Sequence, residues 1–148
     1  MKRLFALGLS LGLVAALAVP AFAGGPAEKA TGSFTYNVAG KYVAFNAHEA
    51  TDKHPAKGYL FIIPDGVNHY TVAIDTVDVD GEAGTACFSG IISATGKYAD
   101  RDGKAQAFFA KDGGEPSIDV DFFGASGVGS LSCPNLGRDV LTGNIQVH

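Results

Sequence analysis

Beyond residue 23 this sequence has no cluster of basic residues, no second long apolar run and no window with a sustained helical period. Each absence removes a class. Acidic residues number 15 against 11 basic ones, and an acidic chain without interleaved basic and aromatic residues does not attract phosphate backbones. Nucleic acid is therefore not an expected partner. Without a later run of about 18 apolar residues, no membrane span is expected once the first 23 residues are removed. With helical periodicity missing, 20 glycines, 10 phenylalanines and 5 tyrosines among many Val, Ile and Thr describe an all-β chain.

The first 23 residues carry the most specific signal. Lys2 and Arg3 form a positive start, residues 4–19 are apolar, and Pro20 precedes the small-x-small sequence Ala21-Phe22-Ala23. That order is the signature of a cleaved secretory signal peptide. A transmembrane anchor would need about 20 apolar residues, and this run is shorter and ends at a proline. No cysteine follows the run, so a lipoprotein anchor is not expected. Loss of Lys2 and Arg3 would take the formal charge from −4 to −6. The expected organisation is a signal peptide (1–23), a short flexible leader (24–32) and a single β-domain (33–148), exported to the periplasm or the extracellular space.

Cysteine is scarce: Cys87 and Cys133 are the only two. In an oxidising compartment they are expected to form a disulfide. Neither has a histidine close by in sequence, so a catalytic thiol is not indicated.

Alternation of apolar and polar residues gives the strands. Phe34, Tyr36 and Val38 share one face of 33–38, and Val43, Phe45 and Ala47 share one face of 41–49. Residues 58–63 read as a continuous apolar strand stopped by Pro64-Asp65-Gly66, which is turn chemistry. Along 67–79 the apolar phase switches between Ile74 and Val77, predicting a β-bulge near Asp75 and Thr76. Gly90 within 85–92 predicts a bend or a close backbone approach. Residues 93–104 read as a polar connection. A hairpin over 105–123 turns at Asp112 to Pro116, with Phe108 or Phe109, Ile118, Val120 and Phe122 supplying core and Asp119 and Asp121 on the wet face. A Gly/Ser-rich loop follows, and a last strand, 140–148, places Leu141, Ile145 and Val147 on one face. About eight strands with short connections close most simply into an antiparallel up-and-down β-barrel. A two-sheet β-sandwich uses the same strands.

Motifs for chemistry are few. His48-Glu49-Ala50-Thr51-Asp52 begins like H-E-x-x-H, yet it follows a strand and has Asp52 where the second histidine belongs. Neither 76–87 nor 98–109 supplies the first and twelfth ligands of an EF-hand. Gly124-Ala125-Ser126-Gly127-Val128 departs from G-x-S-x-G at its last position. The densest acids lie at the central hairpin, so Asp112, Glu115 and Asp119 are the candidate Ca²⁺ ligands, because that ion takes six to eight oxygens from carboxylates and turn carbonyls. No other cofactor is indicated.

Residues 41–47 (K-Y-V-A-F-N-A), 112–116 (D-G-G-E-P) followed by Asp119, and 143–148 (G-N-I-Q-V-H) resemble a group of small exported bacterial β-rich proteins of unknown function. Ser117 stands where a second glycine belongs in that turn. The resemblance implies a secreted β-domain and transfers no catalytic residue. The functional expectation is a non-enzymatic module, either a structural component of the cell envelope or a binder of a small ligand or partner, with Tyr42, Phe88 and Phe108 as candidates to line an apolar cavity. The alternative is an exported hydrolase using paired carboxylates.

Overall fold

In β2 (Tyr42–His48), Val43, Phe45 and Ala47 are buried while Tyr42, Ala44 and Asn46 face outward. The pleat sends successive side chains to opposite faces, so this order of residues forms a strand with one face in the core. The same logic builds β1 (Lys29–Thr35), β3 (Lys57–Ile63), β4 (Tyr70–Asp80), β5 (Thr85–Ala94), β6 (Ala105–Lys111), β7 (Phe122–Ala125), β8 (Arg138–Asp139) and β9 (Thr142–Val147). A short 3₁₀ helix, Gly96–Arg101, joins β5 to β6. These elements come from a computed structural model that describes residues 28–36, 41–114, 121–135, 137–140 and 142–148.

All strands belong to one antiparallel sheet in the order β8-β7-β6-β5-β4-β3-β2-β1-β9. From β1 to β8 each strand pairs with its neighbour in sequence, as expected for an up-and-down barrel, and β9 returns to pair with β1. The register of β4 on β5 shifts between Ile74 and Thr76, where the change of phase predicted a bulge. Gly90 faces inward, and a Cβ there would overlap the carbonyl of Ala73 on β4. Only glycine permits that approach, which lets the sheet curl.

Several boundaries differ from the sequence reading. β1 begins at Lys29 rather than Ser33, because the small residues Ala30 to Gly32 pair with both β2 and β9. A two-residue strand, β8, precedes the expected last strand and pairs with β7 at one edge, while β9 pairs with β1 at the other. Phe122 is not core. It lies half-buried outside against Phe109, and Phe123 points in. Two adjacent phenylalanines leave the alternation ambiguous, and Asp121 decides it by turning to the sheet edge. The hairpin positions Glu115, Ile118, Asp119 and Val120 lie outside the described residues, as do residues 1–27.

The interior is filled. Phe34, Phe45, Phe88, Phe108 and Phe123 are buried, and Phe45 stacks on Phe88 with centroids 4.8 Å apart. Phe34 from β1 meets Phe123 from β7 at 5.1 Å across the interior. Of the two readings open for Tyr42, Phe88 and Phe108, a filled core or a small cavity, the described residues show no cavity lined by them. Phe88 and Phe108 pack against each other at 5.8 Å, and Tyr42 lies on the outer face with its hydroxyl 2.8 Å from Ser33 Oγ.

The two sheet edges are joined by carboxylates. Asp121 accepts from Ile145 N–H through Oδ2 (2.6 Å) and from Gly113 N–H through Oδ1 (2.9 Å). Asp112 accepts from Val147 N–H (3.2 Å) and Gly114 N–H (2.8 Å). Ile145 and Val147 are two apart on β9, so their N–H groups share the edge that does not face β1. Side chains at the β6–β7 end thus occupy places that a further strand would take.

Candidate functional site: the barrel mouth and the outer wall

Of the residues singled out from sequence, Cys87 and Cys133 come together as a disulfide, with Cα atoms 5.8 Å apart. The bond ties the Gly/Ser-rich loop to the outer side of β5. Each oxygen of Asp112 accepts a backbone N–H, from Gly114 and from Val147. Its two proposed companions, Glu115 and Asp119, lie outside the described residues. The acid that does join it is Asp121, which the alternation placed on a wet face. Among the described residues, no group of three or more His, Cys, Asp or Glu side chains is arranged to hold a metal.

The mouth opposite that hairpin is built from Tyr36, Tyr70, Tyr98, Arg101 and Arg138. The 3₁₀ helix places Tyr98 and Arg101 three residues apart, the spacing at which side chains eclipse in this helix type. Tyr98 turns inward and meets Tyr70 edge-on at 5.6 Å. The Arg101 guanidinium lies 4.5 Å from the Tyr98 ring centre and 5.4 Å from that of Tyr70, within cation–π distance of both. Tyr70 donates to Gln106 Oε1 (3.0 Å), and the buried Gln106 donates through Nε2 to the Ser126 carbonyl (2.8 Å). Among the described residues no buried side-chain nitrogen or oxygen lacks a partner, as burial requires.

Asp65 fixes the cap from the side. It accepts from Lys97 Nζ (2.7 Å), from the N–H groups of Val67 and Asn68, and from the Asn68 amide. The Lys97 bond, more than any other, holds its carboxyl well below the usual carboxylate range. Burial pushes the Tyr36 phenol up to about 12, with Tyr70 and Tyr98 adding to the effect and Arg138 opposing it. Tyr36 is therefore a neutral hydroxyl beside a guanidinium.

Next to Tyr36 lies a groove of about 410 Å³, lined by Ile62, Phe123, Gly124, Ala125, Gly137 and Arg138. Its walls mix the apolar side chains of Ile62, Phe123 and Ala125 with the Tyr36 hydroxyl, the Arg138 guanidinium and the backbone of the two glycines. Arg138 is exposed, and no carboxylate among the described residues pairs with it. Neither Tyr36 nor Arg138 stood out in the sequence. Arg138 ends a Gly/Ser-rich loop, and its approach to Tyr36 is a tertiary contact with no local signal.

The outer wall offers a second surface. Cross-strand register lines up Gln146, Thr31, Asn46, Tyr59, Ala73 and Ile91 in one row. The next row is Asn144, Ser33, Ala44, Phe61, Thr71 and Ser93. Neither row contains a charge, and all of these side chains are exposed or half-buried. Charge returns in the flanking row, at Lys29, His48 and Lys57. Two shallow depressions, about 320 Å³ and 200 Å³, lie side by side on this wall, with Gly32 and Phe45 in the lining of both.

No protein-family model, curated protein or solved structure matches the chain. Among the described residues, no helix is long and apolar enough to cross a membrane.

Proposed function

We propose that this chain is an exported, non-enzymatic β-barrel domain that binds a small amphipathic anion at its mouth. The observation that carries the reading is the groove of mixed lining that ends at Arg138, with which no carboxylate among the described residues pairs. Its volume of about 410 Å³ falls within the ~300–1,000 Å³ of small-ligand sites. The Arg138 guanidinium beside the neutral Tyr36 phenol supplies a charge and a donor for a carboxylate or sulfonate head. Export, by cleavage after Ala23 into the periplasm or medium, is supported by the signal-like first residues and agrees with the bonded Cys87–Cys133 pair. The resemblance to small exported bacterial β-rich proteins points the same way.

The test begins with protein recovered from periplasm or medium. Its mass should correspond to a chain starting at Gly24, two hydrogens lighter than the reduced form. Titration with octanoate and with anilinonaphthalene sulfonate should saturate, and Arg138→Gln should weaken both by about tenfold. Equal binding of octanol and octanoate, or no saturable binding, overturns the mouth as an anion site.

A further inference from the structure

We infer that the outer wall formed by β9, β1, β2 and β3 is a binding face for a neutral polysaccharide. Four observations converge on one occupant. First, charge is missing from two successive cross-strand rows, although 18% of the chain is charged. A face built this way has no electrostatic handle for an anionic polymer, a nucleic acid or a charged peptide. Second, the polar groups present are amides and hydroxyls. The amides of Gln146 and Asn46 and the hydroxyl of Thr31 offer both donors and acceptors, which matches a ligand whose every polar group is a hydroxyl. Asn46 Oδ1 accepts from Tyr59 N–H (3.1 Å), which fixes the amide and leaves its NH₂ for a ligand.

Third, aromatic rings stand among these groups. Tyr59 is 49% exposed, and Phe61 lies half-buried in the neighbouring row. An exposed ring presents a negative face, which attracts the partly positive C–H edges of a sugar ring and offers apolar area without charge. Fourth, the wall is not flat. Its two depressions adjoin, sharing Gly32 and Phe45 in their lining. Adjoining depressions that cross several strands at about 4.8 Å spacing suit an extended chain better than a compact ligand. The face is also too polar for a membrane surface or for the apolar centre of a stable dimer.

This site is separate from the mouth and stands or falls independently of it. The test is affinity electrophoresis of the full mature protein in gels containing mixed-linkage β-glucan, galactomannan or starch, with alginate as the anionic control. Retardation in at least one neutral gel, unchanged by added salt, is expected, with none in alginate. Tyr59→Ala and Asn46→Ala should each weaken retardation by about tenfold, while Arg138→Gln leaves it unchanged. Thermal melts of the variants separate lost binding from lost folding. Normal migration in all three neutral gels overturns the proposal. So does a concentration-dependent dimer that Tyr59→Ala abolishes, which would make the occupant a second copy of this chain.

Discussion

A single carboxylate, Asp121, holds three segments together. Its oxygens accept from Gly113 and Ile145, and its own carbonyl accepts from Val140 N–H. Hydrogen bonds to a charged acceptor contribute about 1.5–3 kcal/mol each, and without them the Ile145 N–H loses its partner at the seam. Asp121→Ala should therefore cost about 3 kcal/mol in urea unfolding, and Asp112→Ala about 1–2 kcal/mol. A loss below about half a kilocalorie for Asp121→Ala would show that the seam does not depend on it. The sequence marked this stretch as the densest in acids but could not reveal what Asp121 does. Ile145 is 24 residues away, and alternation carries no information about a partner at that distance. Gly90 was legible for the opposite reason, since a glycine inside a strand already implies a close backbone neighbour.

The elements were readable where their own pattern changes. The bulge in β4 shows as a switch of phase between Ile74 and Val77, so its place followed from the residues alone. The 3₁₀ helix escaped because six polar-rich residues complete too few turns to show a period. β8 escaped because its two residues, Arg138 and Asp139, are both charged and too few to show an alternation. Asp65 anchors the helix to the β3–β4 loop, and its lowered pKa sets a direction with pH. The Asp65 contribution is fully present above the ordinary value of 3.8 and declines as pH falls below it. Asp65→Asn should lower the melting temperature at pH 7, and the gap from wild type should narrow as pH drops from about 4 toward 2. A constant gap across that range would rule out the ionised carboxylate as the source of the effect.

As a whole, the molecule is one curled sheet around packed phenylalanines, braced outside by a disulfide. The all-β class and meandering order were evident from short alternating runs with turn residues between them. Both candidate sites were not, since each is assembled from side chains that meet only when the sheet curls. The Cys87–Cys133 bond closes a separation of 46 residues, worth about 4 kcal/mol in the chain-entropy model. Replacing both cysteines with alanine should reduce unfolding free energy by up to that amount, and no change in the denaturation midpoint would contradict it. The pairing of β9 with β1 has a consequence in time. Thr35 and Thr142 face each other across 107 residues, so the cost of bringing these strands together falls late. Strands β1 to β7 can assemble in the order in which they leave a ribosome or a translocation pore. The seam must wait for the last residues of β9, which makes Asp112 and Asp121 the final latch of folding rather than its start.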